Sequence, residues 1–282
     1  MRLRFVIGSL LLAAACGKAE PARDPGGSGP RVVSLLPNAT EILFALGAGP
    51  SVVGATRYCN RPDAAKAVPR VGGILDVSLE AVLACRPDVV VGSPAVLKGR
   101  LADVLQPAGA RLVPVWFETA ADVEPGIRAI GEAVGRVSEA AALGASYRAD
   151  LLALQGRARR EPPVSVLMVV GRSPLVVASR ASYLGDLLDR MGVRNVAGSD
   201  SVSYPTWSLE QAIRSAPDVI VDGAVEAGDL QALLADAGLS AALEGRVVRL
   251  RDDALLRPGP GTGRAALALA DEVLRVVDRQ SR

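Results

Sequence analysis

Ser78-Leu79-Glu80-Ala81-Val82-Leu83-Ala84-Cys85-Arg86-Pro87-Asp88-Val89-Val90-Val91 recurs later in the chain as Ser208-Leu209-Glu210-Gln211-Ala212-Ile213-Arg214-Ser215-Ala216-Pro217-Asp218-Val219-Ile220-Val221. Both read S-L-E-x-x-[L/I]-x-x-x-P-D-V-[V/I]-V with no insertion. In each copy the serine is a helix N-cap, the proline ends the helix, and the apolar run after it is a buried strand. Two copies so far apart do not make a solenoid. They predict two similar α/β lobes, each placing a glutamate in the first turn of a helix.

Working outward, short apolar strands alternate with helical segments in both halves, which implies parallel sheets. In the first half, the strand Arg31 to Leu36 runs into a helix capped by Asn38 or Thr40, with Leu43, Phe44 and Leu46 on its buried face. Further strands are expected at Val52 to Thr56, Val89 to Val91 and Leu112 to Trp116, and helices at Leu101 to Gln106 and Ala120 to Val134. The second half repeats this order, with strands at Ser165 to Val170, Val193 to Val196, Val219 to Val221 and Val247 to Leu250. Its helices are Tyr183 to Met191, the one opened by Ser208, Leu230 to Ala237 and Gly263 to Asp278. Between the halves, 138–160 has Ser138 as N-cap, Glu139 in its first turn and Arg157, Arg159 and Arg160 at its end, as a helix dipole prefers. About 20 helical residues span roughly 30 Å, enough to bridge two lobes. The expected organisation is therefore a signal peptide at 1–16, a flexible linker at 17–30, an N-terminal lobe at 31–137, an interlobe helix at 138–160 and a C-terminal lobe at 161–282.

The N-terminus reads as an export leader. Arg2 and Arg4 form a basic start, Phe5 to Leu12 an apolar stretch, and three alanines precede Cys16. Small residues before a cysteine resemble a bacterial lipobox, which makes Cys16 the lipidated mature N-terminus. The alternative is an ordinary secretory signal with an incidental cysteine. The segment from Gly17 to Pro30 is rich in Gly, Pro, Ala and charge and reads as a tether. Cys59 and Cys85 remain, with their pairing open.

Composition removes several functions. Half of the 282 residues are apolar and 22% are charged, with a net charge of +2. Neither nucleic-acid binding nor general attraction to anionic membranes is indicated, so membrane attachment rests on the N-terminal lipid alone. The chain has no histidine, which removes the commonest general base, the usual nucleophile triads and most transition-metal sites. There is no P-loop signature, and Gly259-Pro260-Gly261-Thr262-Gly263 lacks dinucleotide spacing and reads as a turn into a helix. An exported α/β enzyme is the reading these absences weigh against.

Several blocks together resemble one family. Val33-Ser34-Leu35-Leu36-Pro37-Asn38-Ala39-Thr40-Glu41 followed by Leu46-Gly47-Ala48-Gly49 is similar to the opening of class III solute-binding proteins of ABC importers. So are Val53-Gly54-Ala55-Thr56-Arg57-Tyr58-Cys59-Asn60-Arg61-Pro62, Val71-Gly72-Gly73, both S-L-E stretches, and Gly192-Val193-Arg194-Asn195-Val196. Within that class the chain resembles the periplasmic cobalamin-binding family, over nearly all of Arg31 to Asp278.

The resemblance implies two Rossmann-like lobes joined by one backbone helix, with ligand between them and no chemistry performed. It implies a monomer with no cofactor, carrying cobalamin as transported ligand to an ABC permease dimer and its ATPase subunits. It further implies that Glu80 and Glu210 dock onto the two permease subunits, although an acid in a first turn also complements the helix dipole by itself. Loops at strand C-terminal ends should line the cleft. They supply Pro37, Asn38, Tyr58, Gly73 and Ser93 from the first lobe, and Arg172, Tyr204, Trp207, Arg257 and Pro258 from the second. Tyr58 and Tyr204 are the aromatic candidates for a flat macrocycle, with loop packing as their alternative, and Trp207 has the alternative of facing core. Haem or a ferric siderophore is the other ligand class, and a surface ligand sensor without a permease the other role. The absence of histidine rules out His ligation of haem iron but leaves Tyr58 as a candidate ligand, while Arg172 and Arg257 suit a siderophore.

Overall fold

A computed structural model describes residues 29–198, 201–224, 228–250 and 253–280. In chain order the first part contains β1 (Val32–Ser34), α1 (Pro37–Ala45), β2 (Val52–Ala55), α2 (Leu79–Ala84), β3 (Val89–Gly92), α3 (Arg100–Leu105), β4 (Arg111–Pro114) and α4 (Val123–Val134). The helix α5 (Val137–Leu154) follows. The second part contains β5 (Ser165–Arg172), β6 (Leu175–Val177), α6 (Tyr183–Met191), β7 (Arg194–Asn195), α7 (Leu209–Ser215) and β8 (Val219–Asp222). It ends with α8 (Leu230–Asp236), α9 (Ser240–Leu243), β9 (Val247–Arg249) and α10 (Thr262–Gln280).

The first sheet has the order β2-β1-β3-β4 and is wholly parallel. The strand order reverses between β1 and β3, the switch point where open α/β sheets hold ligands beyond their C-terminal ends. The second sheet has the order β6-β5-β8-β9, with β7 also paired to β5. Here β5, β7, β8 and β9 are parallel, while β6 runs antiparallel to β5. That antiparallel strand was not expected. It arises because Ser173-Pro174 turns the chain back at the end of β5 before the helix begins.

Both strands of the repeat sit centrally. Val89, Val90 and Val91 are buried in one sheet and Val219, Ile220 and Val221 in the other. Each is covered on both faces, which is why the runs are continuously apolar rather than alternating. Ser78 Oγ accepts the Ala81 amide and Ser208 Oγ the Gln211 amide, both at 3.2 Å, so both serines cap.

Two expected helix starts are corrected. Helix α1 begins at Pro37 with Leu36 before it, ahead of Asn38 and Thr40. Proline has no amide to satisfy and its fixed φ suits a first helical position. Helix α5 begins at Val137 with Arg136 before it, and Ser138 Oγ bonds Glu139 instead of capping. It also ends at Leu154, because Gly156 takes a left-handed φ of 70°. Arg157 and Arg160 therefore lie beyond the helix, where they pair with Asp271 and Asp278 of α10 at 2.9 and 3.3 Å. Gly131 lets α4 pack closely on α5, since a Cβ there would lie 2.3 Å from the Ala140 Cβ. Among the described residues no helix is long and apolar enough to cross a membrane.

Candidate ligand cleft

Loops leaving the C-terminal ends of the two sheets meet. Arg257, in the loop after β9, donates from Nη1 to Oδ1 of Asn60 in the loop after β2, at 2.8 Å. The same guanidinium lies 3.6 Å from Glu41 Oε1 on α1 and 2.5 Å from Asp253 Oδ2 in its own loop. Arg61 of the first lobe pairs with Asp253 of the second. This cross-lobe cluster borders a cavity of about 800 Å³, lined by Glu41, Phe44, Arg61, Lys66, Asp253 and Pro260 among others. Burial pushes the Glu41 carboxyl above the ordinary glutamate range, against the opposing pull of Arg257 and Arg61.

Arg257 was expected to line the cleft, and these partners were missed. One signal was available: Glu41 is an acid directly followed by Ile42, Leu43 and Phe44 on a core helix. Pro258 is half-buried and precedes a tight turn, in which Thr262 Oγ1 accepts the Gly259 amide and donates to the Arg257 carbonyl, both at 2.9 Å.

In the first lobe, Pro37 and Asn38 stand half-buried at the end of β1, where Asn38 Oδ1 accepts the Ala39 amide at 3.1 Å. Tyr58 follows β2 and is 49% exposed, with the Arg57 guanidinium 5.4 Å from its ring centroid. Arg57 pairs with Asp76 at 2.5 Å and holds that carboxyl below its usual range. Gly73 lies buried beside this pair, where a Cβ would sit 2.1 Å from Asp76 Oδ1. Ser93 is half-buried at the end of β3, and its carbonyl accepts the Val96 and Leu97 amides at 3.0 and 2.9 Å.

In the second lobe, Tyr204 is 45% exposed, with its hydroxyl end turned toward Ser182 and its phenol pushed up by burial. Trp207 packs against the second-lobe core, and its amide donates to the Leu175 carbonyl at 2.8 Å. Arg172 departs most from expectation. Its side chain is 7% exposed, and Nη2 bonds both carboxylate oxygens of the buried Asp222, at 3.0 and 2.7 Å. Asp222 ends β8 alongside Val169 of β5, so the two charges neutralise each other at the end of the second sheet, with Arg249 Nε 3.9 Å from the same carboxylate.

Glu80 and Glu210 are both exposed. Glu80 reaches the Ser78 hydroxyl at 3.3 Å, whereas in the second copy Gln211 takes the capping role through the Ser208 amide at 2.8 Å. Cys59 and Cys85 are free: Cys59 Sγ lies 3.2 Å from Thr56 Oγ1, and Cys85 Sγ donates to the Val53 carbonyl. Cys16 falls outside the described residues.

Two sheets of matching strand order, joined through one helix and meeting at their ligand-side loops, define a two-lobed solute receptor. The chain belongs to the periplasmic binding protein family, which it matches over residues 32–254. It is a class III solute-binding protein of the kind that serves ABC importers. It is 27% identical over 198 residues to a vitamin B12-binding protein of Vibrio campbellii, covering 69% of this chain and 70% of that one. It is also 27% identical over 252 residues to the ABC transporter substrate-binding lipoprotein YvrC of Bacillus subtilis, covering 86% and 79%. The periplasmic heme-binding protein RhuT from Roseiflexus sp. RS-1 superposes with a TM-score of 0.75 at 29% identity, over 87% of this chain and 98% of that one. These are binding proteins of transport systems, not enzymes.

Proposed function

We propose that this protein captures cobalamin or a related corrinoid between its lobes and delivers it to an ABC permease dimer with its ATPase subunits. It acts as a monomer tethered outside the cytoplasm through a lipid on Cys16. Tyr58, held out at the end of β2 under the Arg57–Asp76 pair, is the observation that carries the reading. With Tyr204 in the opposite lobe it provides apolar, planar surface for a macrocycle. Pro37, Asn38, Gly73, Ser93 and Pro258 supply the surrounding loop ends. Glu80 and Glu210 meet basic groups on the two permease subunits, one per lobe. Exposed ion pairs contribute only about 0.2–1 kcal/mol each, so their role is register and encounter rate.

A second reading has specific support. A heme-binding protein is among the structural neighbours, and the exposed Tyr58 phenol is a ligand suited to haem iron. Titration of the purified apo protein with cyanocobalamin, haemin and ferric siderophores, followed by calorimetry and absorbance, separates these. Failure to bind cyanocobalamin at micromolar concentration rejects the corrinoid assignment.

A further inference from the structure

The loop before α2 ends in a tethered turn. Gly72 and Val77 form an antiparallel bridge, and the Gly73 amide donates to the Asp76 carbonyl at 3.4 Å. The Arg57–Asp76 ion pair clamps the same turn from outside. At its tip stands Leu75, 96% exposed. Single exposed leucines are ordinary, and this one alone would carry nothing. What distinguishes it is a counterpart in the other lobe.

The segment before α7 is tied down in a comparable way. The Val177 amide donates to the Pro205 carbonyl at 3.1 Å and the Ser179 amide to the Ser203 carbonyl at 3.0 Å. The Ser179 hydroxyl donates to the Val202 carbonyl at 2.8 Å, and the Val202 side chain is 54% exposed. Each anchored loop leads directly into a copy of the repeat, and so to an exposed glutamate. An exposed aliphatic side chain therefore precedes an exposed acid in both lobes, at the tip of a closed turn in the first and on a segment held along Val177 and Ser179 in the second. A partner built from two like subunits meets such a duplicated surface with like sites.

We propose that Leu75 and Val202 are apolar contacts of the permease interface, seated in hollows beside the basic groups that meet Glu80 and Glu210. This rests on the docking reading of the two glutamates. The division of labour follows from physics. Exposed charges steer encounter and fix orientation, whereas buried aliphatic groups slow dissociation. Burying a leucine outweighs an exposed ion pair in free energy, so the prongs hold what the acids align.

The test uses the full-length protein and its permease–ATPase complex in nanodiscs, with association and dissociation followed by biolayer interferometry. Thermal melts and cyanocobalamin and haemin titrations run alongside. Leu75→Ser combined with Val202→Ser is expected to speed dissociation about tenfold or more, with association, melting and ligand affinity unchanged. Glu80→Lys with Glu210→Lys is expected to slow association and flatten its salt dependence. If the serine pair dissociates at the wild-type rate while the lysine pair impairs docking, the apolar contacts are refuted and the glutamate reading stands. If neither pair alters docking, both fail together. If the serine pair weakens cyanocobalamin or haemin binding but leaves docking intact, the prongs belong to the ligand cleft and the proposal is overturned.

Discussion

Arg257 donates to Asn60 across the two lobes at 2.8 Å, and the same guanidinium neutralises Asp253 at 2.5 Å. Arg257→Ala removes the hydrogen bond to Asn60 and the ion pair to Glu41 between the lobes and leaves Asp253 paired with Arg61. The expected loss is about 1–3 kcal/mol in urea unfolding. A larger radius of gyration by small-angle scattering should accompany it as the lobes part. Unchanged values for both would mean that the cluster does not set lobe spacing.

Asp222 and Arg172 are 4% and 7% exposed. Asp222→Ala removes the carboxylate that meets a buried guanidinium and should cost about 3–5 kcal/mol. Arg172→Ala/Asp222→Ala should cost less than the two single losses added, because both single variants lose the same charge pair. Additive losses in a double-mutant cycle would contradict the pairing.

Tyr58→Ala and Tyr204→Ala should each weaken ligand binding by about 0.5–1.5 kcal/mol beyond lost area, several-fold or more in Kd. Tyr58→Phe separates the ligand classes. It keeps the ring and should leave cyanocobalamin binding near wild type. A haemin complex ligated by the phenolate would instead lose its charge-transfer absorbance.

Charge reversal at Glu80 and Glu210 together should abolish ligand uptake in cells while leaving calorimetric ligand affinity unchanged. Both side chains are exposed, so folding should survive the exchange. Wild-type uptake by the double variant would remove the docking role.

Glu41 gives a pH signature. Burial raises its folded-state pKa above the ordinary 4.5, so the folded protein binds more protons than the unfolded chain just above that value. Stability therefore falls as pH rises through the folded-state pKa. Glu41→Gln should melt higher than wild type at neutral pH, and the gap should close as pH drops below 4.5. A gap that stays constant with pH would show that the carboxyl is not the source.

Local patterns made much of the fold legible. The serine caps of α2 and α7 and the runs after Pro87 and Pro217 follow from chemistry within a dozen residues. The limits of α6 at Tyr183 and Met191 also agree with the sequence reading, set by Ser182 and by Gly192 in a left-handed conformation. What escaped depends on groups distant along the chain. Arg172 looked open to the cleft because nothing nearby in sequence announces Asp222. Two partners of Arg257, Glu41 on α1 and Asn60 after β2, lie in the other lobe. Strand β6 escaped because three residues behind Pro174 carry too little pattern to register. Arg157 and Arg160 looked like the end of a helix, yet they are matched to acids on α10.

Leu151 of α5 packs against the buried clusters of both lobes. Leu154 on the same helix lies within the second-lobe core, and Tyr147 within the first, where its hydroxyl donates to the Ala120 carbonyl at 2.9 Å. A connector of this kind cannot be released from one lobe without exposing the other. The two sheets should therefore lose structure in a single calorimetric transition, and neither lobe expressed alone should retain a cooperative melt.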